Sequence, residues 1–198
     1  MFAEPDGATP LDPDEMQGLK FKHVLTRGEL NELEQANIEQ GLAWVSRQRG
    51  GSIFDDGFIR KLHKKLFGDV WTWAGEYRLT EKNIGIDPLH ISIQLRLLLG
   101  NAEYWAEHET YSPLEAAARF HHRLVQIHLF ANGNGRQARV ATDILLKQAY
   151  NQPPIDWASG FDLQADNERR EDYINSLRAA DAGNFQALIA FVSPIMEF

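Results

Sequence analysis

Two helical patterns in the middle of the chain are separated by four residues that continue neither. The first opens at Ser112-Pro113-Leu114-Glu115, where serine caps, proline takes the first helical position and glutamate closes a capping box. Leu114, Ala117, Ala118, His121, Leu124, Val125 and His128 then recur at the 3-4-3 spacing of one buried face. The pattern breaks at Asn132-Gly-Asn-Gly135. A second helix runs from there through Val140, Ile144 and Leu145 to Asn151, and Pro153-Pro154 prevents its continuation. The centre of the fold is therefore a helix–loop–helix, with His128 at the inner edge of the first helix, beside the loop.

The flanking sequence is helical too. Thr26-Arg-Gly-Glu29 is a capping box that starts a helix over 27–48, with Leu30, Leu33, Asn37 and Trp44 on one face and Gly50-Gly51 as its stop. Another follows Asp55-Asp56, with Phe58, Ile59, Leu62, Leu66 and Phe67 as its apolar stripe. Trp71, Trp73 and Tyr77 are assigned to the core. Residues 77–87 lack helical period and hold Thr80, Ile84 and Gly85, a pattern that predicts a short β-hairpin. Leucines at helical spacing predict a helix over 91–105, and further helices are expected over 167–180 and 184–193. Pro5, Gly7, Pro10, Pro13 and Gly18 mark residues 1–22 as an extended arm. The expected fold is all-α (mainly α): a helical bundle with one short hairpin. Residues 1–50 form an arm and helix, and residues 51–198 form a single globular unit.

Composition narrows the function. The chain has 198 residues, 43% of them hydrophobic and 24% charged, as in a globular domain with a sizeable core. Its net charge of -8 argues against general nucleic-acid binding, because phosphate backbones are repelled. The absence of cysteine excludes disulfides, thiolate metal sites and cysteine nucleophiles. No stretch approaches the ~20 apolar residues of a membrane helix, and Met1 to Lys20 contain no apolar run. The expectation is a protein without a membrane span, acting in the cytoplasm.

Residues 128–139 read His-Leu-Phe-Ala-Asn-Gly-Asn-Gly-Arg-Gln-Ala-Arg. A Gly-Asn-Gly loop entering a helix lets consecutive N–H groups converge where the helix dipole is positive, which makes an anion cradle. Arg136 and Arg139, one turn apart, add two guanidinium forks, a set suited to polyphosphate. His128 is placed to act as general base toward an incoming hydroxyl. Asn132 offers a hard oxygen to Mg²⁺, and Phe130 anchors the loop. His121 falls on the buried face and reads as structural, whereas His122 is expected to be exposed. A zinc site from His121, His122 and His128 lacks proper ligand spacing.

This segment resembles the Fic family signature HxFx(D/E)GNGRxxR. His128, Phe130, Gly133, Asn134, Gly135, Arg136 and Arg139 match it. Seven specified residues at fixed spacing arise by chance in roughly one window in 10⁹. The departures are Asn132 in place of an acidic magnesium ligand and Leu129 in place of the usual proline. The resemblance implies transfer of AMP from ATP to a Tyr, Thr or Ser hydroxyl of a target protein, with release of pyrophosphate. It makes His128 the base, the Gly133-Asn134-Gly135 turn a phosphate holder, and Arg136 and Arg139 the ligands of the β- and γ-phosphates. Trp73 to Arg78 and Asn83-Ile84-Gly85-Ile86 resemble the family's flap, a hairpin that docks the target by strand addition. Gly7 to Asp14, Gly28 to Glu32 and Glu34 to Ile38 are similar to the bacterial subgroup called mobile mystery protein B, usually encoded beside a helix-turn-helix partner.

Many relatives carry an inhibitory helix, (S/T)xxxE(G/N), whose glutamate pairs with the second arginine of the motif, here Arg139. No strict match occurs. Glu34, in Leu33-Glu34-Gln35-Ala36-Asn37, is the favoured candidate, and Glu197, in Ser193-Pro-Ile-Met-Glu197-Phe198, is the other. Two alternatives stay open beside adenylyl transfer. One is another nucleotidyl or phosphoryl transfer on the same fold. The other is a toxin-like or regulatory component of low turnover that binds a partner.

Overall fold

The computed structural model describes residues 11–24 and 26–193. Within them the chain forms α1 (Pro13–Met16), α2 (Arg27–Arg47), α3 (Asp56–Phe67), α4 (Ile91–Glu107), α5 (Pro113–Ile127), α6 (Asn134–Tyr150), α7 (Glu168–Asp181) and α8 (Gln186–Val192). Several starts follow from their caps. Thr26 and Glu29 close the expected box on α2, Asp55 accepts from Gly57 and Phe58 at the head of α3, and Asn167 accepts from Arg170 on α7. Ser112 caps α5 through the Glu115 N–H, but no box closes there. The Glu115 carboxylate instead reaches one turn forward to Arg119, at 2.8 Å.

The predicted hairpin is absent. Among the described residues there is no strand, and the one extended pairing is an antiparallel bridge between Leu19 and Trp71. The physical reason lies in Arg78. Its buried guanidinium donates to the carbonyls of Thr80 and Ile86 within the segment, and to those of His128 and Ile127 outside it. A side chain thus performs the closure that a ladder would otherwise provide.

The main core gathers α2 to α6 around Leu30, Ile59, Leu62, Leu66, Leu95, Phe120 and Leu124, all at most 1% exposed. α5 is the central helix, buried on most of its circumference. A second cluster under α7 and α8 contains Trp157, Tyr173, Leu188 and Phe191. His122 belongs to this covered side, contrary to its expected exposure. It is 7% exposed, bonds Asp181 through Nε2 at 2.8 Å and meets the edge of Phe185. The arm is strapped down: Lys20 N donates to Val70 O, Thr72 N to Gly18 O, and Trp73 Nε1 to Glu15 O. No helix among the described residues is long and apolar enough to cross a membrane.

α2 buries Leu30, Glu34, Asn37, Ile38 and Gly41, the i, i+4, i+7, i+8, i+11 face of a helix. Two of these five are polar, so α2 is held by specific bonds as well as by apolar contact. At Gly41 the helix passes so close to α3 that an added Cβ would lie 2.8 Å from Lys65 O and from Leu66 Cδ2.

Candidate active site

The site forms where α5 ends and α6 begins. His128 is the C-cap of α5 and adopts a left-handed conformation, with φ 56° and ψ 68°. That turn directs the chain into the loop. The His128 side chain is 4% exposed, and neither buried ring nitrogen has a hydrogen-bond partner of ordinary length, the Val125 main chain being the weak contact that the ring makes. An unsatisfied buried polar atom costs about 1–3 kcal/mol, so such a group calls for a chemical reason. Burial, with Arg78 and Lys82 close by, pushes the imidazole down to about 3. The ring is neutral at ordinary pH and has a lone pair to offer.

The loop is braced from within. Asn134 Oδ1 accepts from Phe130 N at 2.9 Å, and Asn134 Nδ2 donates to Phe130 O at 2.7 Å. The Asn134 side chain therefore holds the turn, leaving only its main chain to face a ligand. Phe130 stacks on His63 with centroids 3.7 Å apart. His63 accepts from Gly75 N through Nδ1, so its Nε2–H donates to Asn132 O at 3.0 Å. Gly133 sits at φ 77°, and a Cβ there would come within 2.6 Å of the Phe67 ring. Only glycine fits that corner.

Gly133 is the N-cap of α6 and brings no side-chain cap, unlike the caps of α2, α3, α5 and α7. The N–H groups of Asn134, Gly135 and Arg136 stay unclaimed by any side chain, at the positive end of the helix dipole. Asn132 Oδ1 accepts from Gly133 N at 2.6 Å. Arg136 and Arg139 diverge. Arg136 forms an ion pair of 2.7 Å with Glu34 Oε2 and lies over the Phe67 ring. Arg139 lies against the Tyr173 ring, 5.7 Å from its centroid. Glu34, with 0% exposure, also accepts from Trp71 Nε1 at 2.7 Å. Its partner is thus the first arginine of the motif. The pairing with Arg139 implied by the resemblance does not occur, because Arg139 is turned to Tyr173. Glu197 lies outside the described residues.

Residues Asn83 to Ile86 do lie beside His128, though as a loop. Gly85, at φ 109°, packs so closely that a Cβ would stand 2.8 Å from His128 Cβ. Ile86 N donates to Ile127 O at 3.5 Å, and Ile84 is 39% exposed at the rim. Lys82, 2% exposed at its side chain, ties this loop to the arm through Asp12 and Glu15.

Sequence reasoning does not single out His63, Arg78, Lys82 or Tyr173. His63 carries a legible signal: it stands four residues after Ile59, on the buried stripe of α3. Arg78 and Lys82 carry none, because their partners are main-chain carbonyls and residues distant in sequence.

Residues 53–146 match the model of the Fic/DOC family. They form a Fic/DOC domain. The match spans α3 to α6 and so contains the whole loop between α5 and α6. Among curated proteins, the Fic domain is similar to Protein adenylyltransferase Fic of Drosophila grimshawi, at 29% identity over 143 residues. That alignment covers 70% of this chain and 28% of that protein. The protein of the same name from Drosophila melanogaster is 30% identical over 143 residues, 70% of this chain and 27% of its own length. The chain thus spans little more than a quarter of these relatives. Among solved structures, the BepC protein of Bartonella tribocorum with bound AMPPNP has a TM-score of 0.68 at 18% identity. It covers 91% of this chain and 96% of that one. Fic-1 from C. elegans has a TM-score of 0.65 at 23% identity, over 89% of this chain and 51% of that one. At such identities these likenesses establish the Fic fold.

Proposed function

We propose that this Fic domain is a protein adenylyltransferase, with His128 as general base. The observation that carries the reading is the place of His128: buried at the left-handed C-cap of α5, beside the loop that opens the uncapped helix α6. In this reading a target hydroxyl of Tyr, Thr or Ser gives its proton to His128. The oxygen attacks the α-phosphate of ATP, the bond to the β-phosphate breaks, and pyrophosphate leaves. The free N–H groups of Asn134 and Gly135 hold phosphate oxygens, joined by that of Gly133 once Asn132 Oδ1 releases it, with Arg136 and Arg139 beside them. The curated relatives bear the name of this activity.

Mg²⁺ would find one neutral amide oxygen here. It usually takes one or two carboxylates and completes its shell with water and phosphate oxygens. Asn132 Oδ1 keeps a lone pair beyond the one that accepts from Gly133 N. When bound, the ion neutralises charge on the phosphates. Asparagine supplies less charge than the acid usual at this position, which favours a second reading, a component of low turnover that binds a partner.

Restraint belongs to the proposal as well. Glu34 neutralises Arg136 through one of the N–H groups that a phosphate would use, and α2 is therefore read as an inhibitory helix, with the enzyme closed in this conformation. Asn83 to Ile86 are read as the place where the target segment docks. The reading extends to the cytoplasm as the place of action and to a helix-turn-helix protein encoded nearby as a partner.

The test uses wild type, Glu34→Gly and His128→Ala, each incubated with ATP and Mg²⁺ and read by intact mass, alone and in a bacterial lysate. An AMP adduct stronger in Glu34→Gly and missing in His128→Ala is the expected result. An adduct from UTP or GTP but not from ATP would move the reading to another nucleotide. ATP binding without an adduct in any form would favour the low-turnover component.

A further inference from the structure

The chain is acidic, with 28 carboxylate side chains and a net charge of -8. One groove on it is nevertheless strongly basic. Where α2 and α3 run together, Lys20, Arg47, Lys61, Lys64 and Lys65 line a cavity of about 710 Å³. The single carboxylate on its wall, Asp69, is turned to Asn37, which donates to it at 3.4 Å and accepts from its N–H at 2.9 Å.

Among the described residues none of the five cations forms an ion pair. Three are steadied by neutral partners. Lys20 Nζ donates to Gly68 O, Arg47 Nε to Ala43 O at 2.8 Å, and Lys61 Nζ lies 5.4 Å from the centre of the Trp44 ring. Lys64 and Lys65 stand exposed beside them. Like charges gathered this way repel one another and focus a positive potential on the groove. Four net positive charges, five cations less Asp69, concentrate on a groove of a protein with the opposite overall sign.

We propose that this groove docks an acidic peptide segment of a partner protein. Charge complementarity selects an anion and speeds its encounter with the groove. Two observations favour a peptide over nucleic acid. The Trp44 face carries Lys61, so it offers no open platform for stacking bases. A phosphate backbone would also run past the groove onto a surface that is acidic overall, whereas an acidic peptide presents its charge only where it docks. Gln40, on the same wall, adds an amide able to bond the peptide main chain. The proposal does not depend on the transferase reading, since no residue of the groove belongs to the loop between α5 and α6.

The experiment is fluorescence anisotropy on the full chain, with a fluorescein-labelled peptide of alternating aspartate and glutamate as the probe. Saturable binding is expected, weakened at least about tenfold in Lys61→Glu/Lys65→Glu and lost near 0.5 M salt, where screening is short-ranged. A matching asparagine–glutamine peptide should not bind. Lys61→Gln/Lys65→Gln, which adds no negative charge, should weaken binding by a smaller factor while the thermal melt stays at the wild-type midpoint. Absence of saturable binding to wild type would overturn the proposal. So would an unchanged Kd in both double variants, or displacement of the peptide by a thymidine oligonucleotide at lower concentration, which would make the groove a nucleic-acid site.

Discussion

Glu34 and Arg136, 102 residues apart in sequence, meet in an ion pair of 2.7 Å whose carboxylate is fully shielded from solvent. A second bond from Trp71 Nε1 fixes the glutamate from behind. Glu34 takes one N–H of that guanidinium and neutralises its charge, so on the proposed reading binding of a polyphosphate and retention of this pair compete.

The competition makes a thermodynamic prediction. Glu34→Gly should raise affinity for a non-hydrolysable ATP analogue by about tenfold or more, measured by calorimetry. The same variant should lose about 2–3 kcal/mol in urea denaturation. That is the lower end for a broken buried pair, because the Arg136 side chain is 13% exposed and regains some water. Unchanged affinity in a folded variant would remove Glu34 as a restraint.

Acid should destabilise the protein in a defined window. His63, His121 and His128 are all pushed down to about 3, chiefly by burial. Each folded value lies below the ordinary value of 6.5, so the unfolded chain binds more protons between these limits. Stability is complete above pH 6.5 and is lost as pH falls toward 3, by up to roughly 4 kcal/mol per pH unit for the three together. Urea midpoints measured from pH 7 to pH 4 should fall steadily. In His128→Ala the slope should be shallower by about one proton. The His128 ring signal should also stay constant in an NMR titration from pH 8 to pH 5.

Much of this was legible before any coordinates. The dodecapeptide from His128 to Arg139 specifies its own geometry, because the glycines, the helix start and the paired arginines are local properties. α2 begins at Arg27, as its capping box demands, and ends one residue short of the expected 48. The failures are non-local. A hairpin is expected from residues 77–87 on period and composition, but the bonds that shape them reach outside the segment, from the Arg78 guanidinium to Ile127 and His128, from the Arg78 and Ile86 N–H groups to Leu129 and Ile127, and from Lys82 to Asp12 and Glu15. Covering of His122 depends on Asp181 and Phe185, and no periodicity within α5 reports that.

Position 132 is open to a metal titration. Asn132→Asp adds a charge where Mg²⁺ would bind and keeps the oxygen that accepts from Gly133 N. Half-maximal Mg²⁺ for AMP transfer should drop by about tenfold, with little change at saturating Mg²⁺. Large activity in the variant against none in wild type, even at saturating Mg²⁺, would support the component of low turnover.

Arg78→Lys is expected to be severe despite the retained charge. One ammonium cannot reach four carbonyls spread over Thr80, Ile86, Ile127 and His128. A loss of about 2–4 kcal/mol in stability should accompany faster amide hydrogen exchange confined to residues 78–87 and the end of α5. Exchange accelerated evenly over the whole chain would mean that Arg78 serves the fold at large.

Gly41 gives α2 a fulcrum. The helix meets α3 there, about 10 Å along its axis from Glu34 at ~1.5 Å per residue. A side chain added at that point would wedge the helices apart and tilt the glutamate away from Arg136 without altering either member of the pair. On the proposed reading of α2 as an inhibitory helix, the strength of the restraint is graded by the bulk of one residue remote from Arg136, with every chemical group of the pair left in place.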